Sequence, residues 1–417
     1  MDFHKHVRRY LDDLWNASMD ENLRKALDRG VESFRSNKAD AFKAFPESVE
    51  KARRLLEVKD WSLLHMDELV KRTRDMVEDL HGSFFLARTV DDAMEYIGDQ
   101  VGEGDVVVKS KSMTSEELHI NPRLEELGCE VHETDLGEFI VQKMGVRPMH
   151  ITAPAVHLTR EQVAELFTEI MGRRFTGDIP ELVAAARDHL RDVFTRADVG
   201  ISGANAIAAE TGTTFIMENE GNARLVTGLP DKHIIIAGLE KIVPTLMDGM
   251  LVIEVTARYA NYKAPTYVNL ITGPSKTGDI EKTVVYGAHG PKEVHMVLLD
   301  NNRTEMLKDD VYRQALRCIR CGCCLYECTV YPLVAGYFGY LYMGGIGAIL
   351  TRYLLGGEEK ASPIAYTCTL CGRCTRFCPM EIDVKAMVEK LRMEMAEKGL
   401  VPERVKQNIE ALTDKEL

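Results

Sequence analysis

The period of the apolar positions changes along this chain, and the changes mark out its parts. Over residues 1–58 it is helical: Phe3, Val7, Tyr10, Leu11 and Leu14 fall on one face. The charged remainder of this arm reads as a solvated surface, with a docking arm for a partner subunit as the sharper alternative. From Trp61 to about Asn302 helical and strand patterns alternate. The spacing predicts a helix over 62–80, a strand over 84–87, a helix from its cap Thr89 through Tyr96, and a buried strand over 105–109. Thr114-x-x-Glu117 has the form of a capping box, with Met113 and Leu118 placed as its hydrophobic staple. Strands are expected at 130–134 and 150–152. A second box, Thr159-x-x-Gln162, opens a helix to Met171, and a longer helix runs from Pro180 to Arg196. Beyond Asp198 strands crowd together at 199–202, 214–218, 233–237, 251–255 and 294–299. Such alternation predicts an α/β domain with a largely parallel sheet. Near the C-terminus Val384, Met387, Val388, Leu391 and Met395 make the apolar stripe of a helix starting at Asp383 and stopped by Gly399.

Polar residues gather in the loops after several strands, where open α/β sheets hold ligands. Lys109-Ser110-Lys111-Ser112 leads into a capped helix, the setting of an anion site. Residues 200–205, 209–213, 218–224 and 272–275 form further Gly-, Asn- and Thr-rich turns. Turn chemistry alone explains any one of them. Their accumulation predicts a pocket along this edge.

Length and charge narrow the classes. A chain of 417 residues holds two or three domains. A net charge of −13, with no basic cluster, gives no electrostatic case for nucleic acid or an anionic membrane. The opening MDFHKHVRRYLDDLW lacks the apolar core of a signal peptide. Residues 329–351 carry no charge and are long enough on count alone to span a bilayer. They contain Pro332 and Gly336, Gly339, Gly344, Gly345 and Gly347, poor material for a continuous helix. We therefore expect a buried or interface-facing Gly-rich excursion, with a membrane- or quinone-adjacent contact as the lesser alternative. Gly345-Ile346-Gly347 is no dinucleotide fingerprint, because no strand precedes it.

Eight of the ten cysteines carry the strongest chemistry. Cys318, Cys321, Cys324 and Cys328, then Cys368, Cys371, Cys374 and Cys378 followed by Pro379, each read C-x2-C-x2-C-x3-C. This run holds cubane iron–sulfur clusters in bacterial-type ferredoxins, where the fourth cysteine serves the other cube. One [4Fe–4S] cluster is accordingly assigned to Cys318, Cys321, Cys324 and Cys378, the second to Cys368, Cys371, Cys374 and Cys328. Two zinc sites are the competing reading, but zinc takes four ligands, usually as separated pairs, and gives no reason for the repeated third and fourth cysteines. A disulfide framework is disfavoured by crowding and by the absence of a signal peptide. Thiolates that bind iron must stay reduced, so a cytoplasmic setting is expected. Cys323 reads as a non-ligand thiol packed beside the first cluster, and Cys129 as a small buried hydrophobe. No Ser-His-Asp triad, zincin helix or Walker loop is present. His150 and His157 read as structural.

These residues also carry a resemblance. KSKSMTSEE (109–117), ETDLGEFIVQ (133–142), TAPAVHLTREQVAELF (152–167), GISGANAIAAETGT (200–213), NEGNARLVTGLP (219–230), YVNLITGPSKTGDIE (267–281), GPKEVHMVLLDNNR (290–303), CIRCGCC (318–324), GGIGAIL (344–350) and CTLCGRC (368–374) resemble the lactate-utilization iron–sulfur protein family of the LutB/LldF type. The resemblance implies a helical extension over 1–58, a NagB/RpiA/CoA-transferase-like α/β domain of the LUD type over 59–302, and an α-helical two-[4Fe–4S] ferredoxin-like domain over 303–417. It implies an electron-transfer subunit of a complex that oxidises lactate, a 2-hydroxy acid, to pyruvate. The implied partners are a small LUD-domain protein and a heterodisulfide-reductase-like cysteine-rich protein, or a flavin-dependent 2-hydroxy acid dehydrogenase that brings the flavin. Two alternatives stay open: a catalytic α/β domain acting on a carboxylate or CoA-like substrate, or a scaffold that only docks partners. In the catalytic alternative Glu210 is the candidate nucleophile, by fold-level analogy with CoA-transferase glutamates, and Lys109 or Lys111 holds the anion. The chain departs from the pattern at Cys328-Thr329, where Cys-Pro is usual, and in a short segment after Cys378.

Overall fold

The computed structural model describes residues 2–413; the expected limits at residues 1 and 417 lie outside the described residues. The run Val106–Lys109 is buried at every position, as a strand covered on both faces must be. It lies inside a six-stranded sheet ordered Ser83–Ala87, Glu293–Leu299, Lys232–Gly238, Val199–Ser202, Val106–Lys109, Glu130–Glu133. Every neighbouring pair in it is parallel. Helices cover both faces, so the domain is the layered α/β body that the alternating pattern predicts. A second sheet of four short strands, Ile242–Val243, Ala206–Ala208, Thr213–Glu218 and Tyr267–Ile271, packs beside it.

Several local signals hold. Thr159 Oγ1 accepts from the Gln162 N–H at 3.3 Å, and Gln162 Oε1 accepts from the Thr159 N–H at 2.9 Å. Thr89 forms the same reciprocal box with Asp92. The C-terminal stripe Val384, Met387, Val388, Leu391 and Met395 is buried throughout.

Others are corrected. The expected strand 251–255 lies within a helix, Leu246–Tyr259, opened by a Thr245–Asp248 capping box. This helix is buried on most sides, so its apolar run carries no period to separate helix from strand. Residues 150–152 form bends rather than a strand. The helix over 62–80 is two, Ser48–Leu64 and Met66–Asp79, broken at His65. The box at Thr114 does not form: Ser112 is the cap, and Glu117 turns inward. The N-terminal arm is helical as expected and most of its charged residues are exposed, while its apolar face is buried against the rest of the chain. Helices Phe3–Met19 and Glu21–Ala44 bury Val7, Tyr10, Leu27 and Phe34, and Phe34 stacks on Tyr326 at 4.1 Å between ring centroids. The Gly-rich excursion becomes the buried helix Gly344–Leu354 with a preceding set of turns. Among the described residues no helix is long and apolar enough to cross a membrane.

Two features place the site. Val106–Lys109 is followed by a crossover to Glu130–Glu133 on one side, and the chain then returns to Val199–Ser202 on the other. The loops leaving Lys109 and Ser202 therefore diverge at a topological switch point, where such sheets open a crevice. Gly203 lies so close to Ser112 that a Cβ there would sit 2.3 Å from its hydroxyl oxygen, which excludes any larger residue.

The second feature is a buried ion network joining this body to the cysteine-rich segment. Arg303, 1% exposed, meets Glu117 at 2.7 Å and Glu240 at 2.5 Å, and Tyr342 donates its hydroxyl to Glu117. Arg303→Met would leave two buried carboxylates short of their counter-ion. We expect it to cost about 3–5 kcal/mol, measured as a lowered urea midpoint for protein handled without oxygen.

Candidate iron–sulfur centre and adjoining pocket

The two cysteine motifs fold alike. Arg320 and Leu370 take positive φ values of 59° and 54°, Gly322 and Gly372 follow at 75° and 71°, and short helices Cys323–Tyr326 and Arg373–Arg376 close each loop. Glycine suits the second of these left-handed positions because a Cβ there is strained. At Gly322 it would also press on His150 at 3.0 Å. This backbone turns the thiols toward two enclosed spaces.

The first space is bordered by Cys318, Cys321, Cys324 and Cys378, the second by Cys328, Cys368, Cys371 and Cys374. Cys374 also reaches the first and Cys324 the second, so the two adjoin. Apolar side chains such as Ile319, Leu325, Ile346, Met380 and Ile382 wall the first. Among the described residues no three Cys, His, Asp or Glu side chains converge as they would around one metal ion. Thiols bordering a walled apolar space fit a polynuclear iron–sulfur group. Burial, and then the neighbouring thiols, push Cys321 and Cys324 well above the usual thiol range. Only a strong local positive charge, such as bound iron, makes thiolates of them.

One hydrogen bond to sulfur comes from the departure noted in the first motif, and another from the backbone beside it. Thr329, in the usual proline position, donates its hydroxyl to Cys371 Sγ at 3.7 Å, and the Val330 N–H reaches Cys328 Sγ at 3.3 Å. Cys323 borders neither space. It is fully buried, and its sulfur accepts from Lys38 Nζ at 2.9 Å. Lys38 and Arg35 of the N-terminal arm, with Arg373 of the second motif, surround the buried carboxylate of Glu327.

Beside the first space, at the switch point, lies a pocket of ≈ 270 Å³. Residues 110–114 and 203–205 line it, together with Glu218, Asn219, Glu220 and Thr256. Lys109, expected as an anion holder, does not line it. Burial opposes its charge, but Glu133 at 2.7 Å and Glu116 at 2.6 Å outweigh that and hold the ammonium above its ordinary value. Lys111 does border the pocket, 3.5 Å from Glu138. Glu210 is not among the lining residues: it is exposed, and its carboxylate accepts the Leu246 N–H at 3.0 Å.

Two lining cations were not legible from sequence: Lys241, after the strand Lys232–Gly238, and Arg320, inside the first cysteine motif. Arg320 had one signal, a long charged side chain within a cluster loop. Lys241 had none. Arg320 joins the Arg303 network through Glu240 at 3.5 Å, and the charge of Lys241 acts on the same carboxyl without an ion-pair contact. Lys59 donates to the Glu240 carbonyl. Four cations, Lys59, Lys241, Arg303 and Arg320, thus share this region with two carboxylates, Glu117 and Glu240. Burial pushes the ammonium groups of Lys59 and Lys241 down to about 8. Burial also works against the Glu240 charge, but Arg303, Arg320 and Lys241 outweigh it and hold that carboxyl down at about 2.

An α/β body coupled to thiol-lined spaces defines an iron–sulfur protein of two modules. The family model of the LUD domain matches residues 70–299, and that of the 4Fe-4S dicluster domain matches residues 314–382. Lactate utilization protein B of Shouchella clausii (strain KSM-K16) is 39% identical over 380 residues, spanning 90% of this chain and 78% of that protein. The proteins of that name from Anoxybacillus flavithermus (strain DSM 21510 / WK1) and Bacillus subtilis (strain 168) are 38% and 36% identical, over 82% and 91% of this chain and 71% and 78% of their own lengths. The chain belongs to the lactate utilization protein B family.

The Glu240 environment sets a pH dependence. Because its folded value lies below the ordinary 4.5, its stabilising contribution is complete above that pH and is lost as pH falls toward 2. Glu240→Gln is therefore expected to flatten the acid limb of stability against pH, by on the order of 3 kcal/mol across the full window. Urea melts at stepped pH between about 5 and 3 follow it.

Proposed function

We propose that this chain is the electron-relay subunit of a lactate-oxidising complex. One [4Fe–4S] cluster would be held by Cys318, Cys321, Cys324 and Cys378, the other by Cys368, Cys371, Cys374 and Cys328. The carrying observation is the crosswise lining of two adjoining spaces, each by three thiols of one motif and the last thiol of the other. Clusters bound there supply one-electron transfer. The chain's own residues do the rest. Eight thiolates bind iron, the apolar wall around Ile319 and Ile346 keeps water out, and donors such as Thr329 and Val330 adjust charge on sulfur.

Membership in this family supports lactate as the ultimate electron source. Hydride removal from a hydroxy acid normally requires an organic redox cofactor, so a partner is proposed to supply one. The proposed partners are a small LUD-domain protein and a heterodisulfide-reductase-like cysteine-rich protein, or a flavin-dependent 2-hydroxy acid dehydrogenase. Reduced thiolates favour a cytoplasmic setting.

The crosswise assignment has a direct test. Protein purified without oxygen should carry roughly eight iron ions per chain, two cubes of four, with matching acid-labile sulfide. Cys318→Ser and Cys378→Ser should each remove roughly half of that iron, and the double variant should lose no more than either single one. Iron falling to near zero in the double variant would mean that each motif holds its own cluster.

A further inference from the structure

We propose that the switch-point pocket is a binding site for a small, singly charged carboxylate bearing a hydroxyl group, anchored by Lys241 and Arg320. The occupant would sit one side chain away from the space bordered by Cys318. Among the described residues, Lys241, Arg320 and Thr256 bring donors to this pocket that find no acceptor, and the buried Lys111 Nζ, 3.5 Å from Glu138, makes no hydrogen bond either. Lys241, 8% exposed, has no carboxylate within ion-pair distance and makes no hydrogen bond among the described residues. Arg320 places one guanidinium nitrogen 3.5 Å from Glu240 and its plane over Tyr342 at 4.7 Å, with the Cys318 sulfur also close, and its buried Nη1 makes no geometric hydrogen bond among the described residues. The Thr256 hydroxyl, 3% exposed, is likewise buried and unpartnered. Buried donors without acceptors are costly, and a carboxylate held in the pocket that all of them line would supply acceptors.

The acidic residues set the ligand's total charge. Asp135, Glu218 and Glu220 also line the pocket, and none of them pairs with Lys241 or Arg320. Glu218 is occupied by the Ala223 and Arg224 N–H groups and by Asn269. Facing such carboxylates, a second negative charge is repelled while a hydroxyl finds an acceptor. A hydroxy monocarboxylate fits this arrangement, and a dianionic phosphate does not. The volume of ≈ 270 Å³ accommodates a short acid with water.

Arg320 and Ile151 line both this pocket and the space bordered by Cys318. An anion here adds negative charge beside whatever those thiols hold, which favours the oxidised state. By reciprocity, reduction weakens the anion's binding by the same factor. That second readout rests on the iron–sulfur reading; the binding itself does not.

The test is calorimetric titration of iron-loaded protein, without oxygen, using lactate, acetate and inorganic phosphate. Lactate should bind at one site per chain, more tightly than either comparison anion, and Lys241→Gln should weaken it at least tenfold at unchanged iron content. Iron-replete wild-type protein that ignores lactate overturns the proposal, as does tighter binding of phosphate or an unaffected Lys241→Gln. Should Lys241→Gln lose iron, Thr256→Val and the wild-type midpoint decide. Thr256→Val should weaken lactate severalfold, and saturating lactate should lower one midpoint by about 59 mV for each tenfold preference for the oxidised form. No change in both measurements overturns the site. Failure of the iron–sulfur reading would show separately, as absence of iron before any ligand is added.

Discussion

Arg303 stands where the two halves of this protein meet, and its guanidinium is shared between Glu117 and Glu240 with almost no exposure. Glu117 comes from the helix beyond one central strand, Glu240 from the turn beyond another, and Tyr342 and Arg320 reach the same carboxylates from the cysteine-rich segment. Removing one member strands the others as unpaired buried charges. This mutual dependence fixes the first cysteine loop against the C-terminal edge of the sheet, where the crevice opens. Glycine at position 238 is part of the same constraint: a Cβ there would fall 2.1 Å from Glu240 and 2.4 Å from Arg303.

The network carries more positive than negative groups. In a water-poor interior that excess raises the cost of the two lysine charges and lowers the cost of any anion brought beside them. The thiol-lined space lies on one side of Arg320 and the pocket on the other. Both are settings in which negative charge is welcome. The N-terminal helices bring a separate group of cations, Arg35 and Lys38, to Glu327 behind the first motif. The arm thus braces the loop that the ion network positions from the opposite side.

The cysteine spacing was legible because ligation is local: three thiols two residues apart face one point whatever surrounds them. Strand and helix existence was legible wherever a period or a reciprocal cap was written into a few neighbouring residues, as at Thr159–Gln162 and in the stripe from Val384 to Met395. The run 251–255 carries no such period, because it is buried on most sides. At Thr114 the box gives way, since Ser112 takes the cap and Glu117 is drawn to Arg303, 186 positions further along the chain.

The chemistry of the donors, the α/β alternation and the polar loops after the strands are all written in short stretches of the chain. Which cations face the pocket was decided only by tertiary structure. Lys109 stood in the promising loop and was consumed by Glu133 and Glu116, whereas Lys241, outside any motif, and Arg320, at a non-ligand position of the first cysteine motif, were left with open donors. Pairing of buried charge depends on which carboxylates the fold delivers within reach, and residues far apart in the chain settle that.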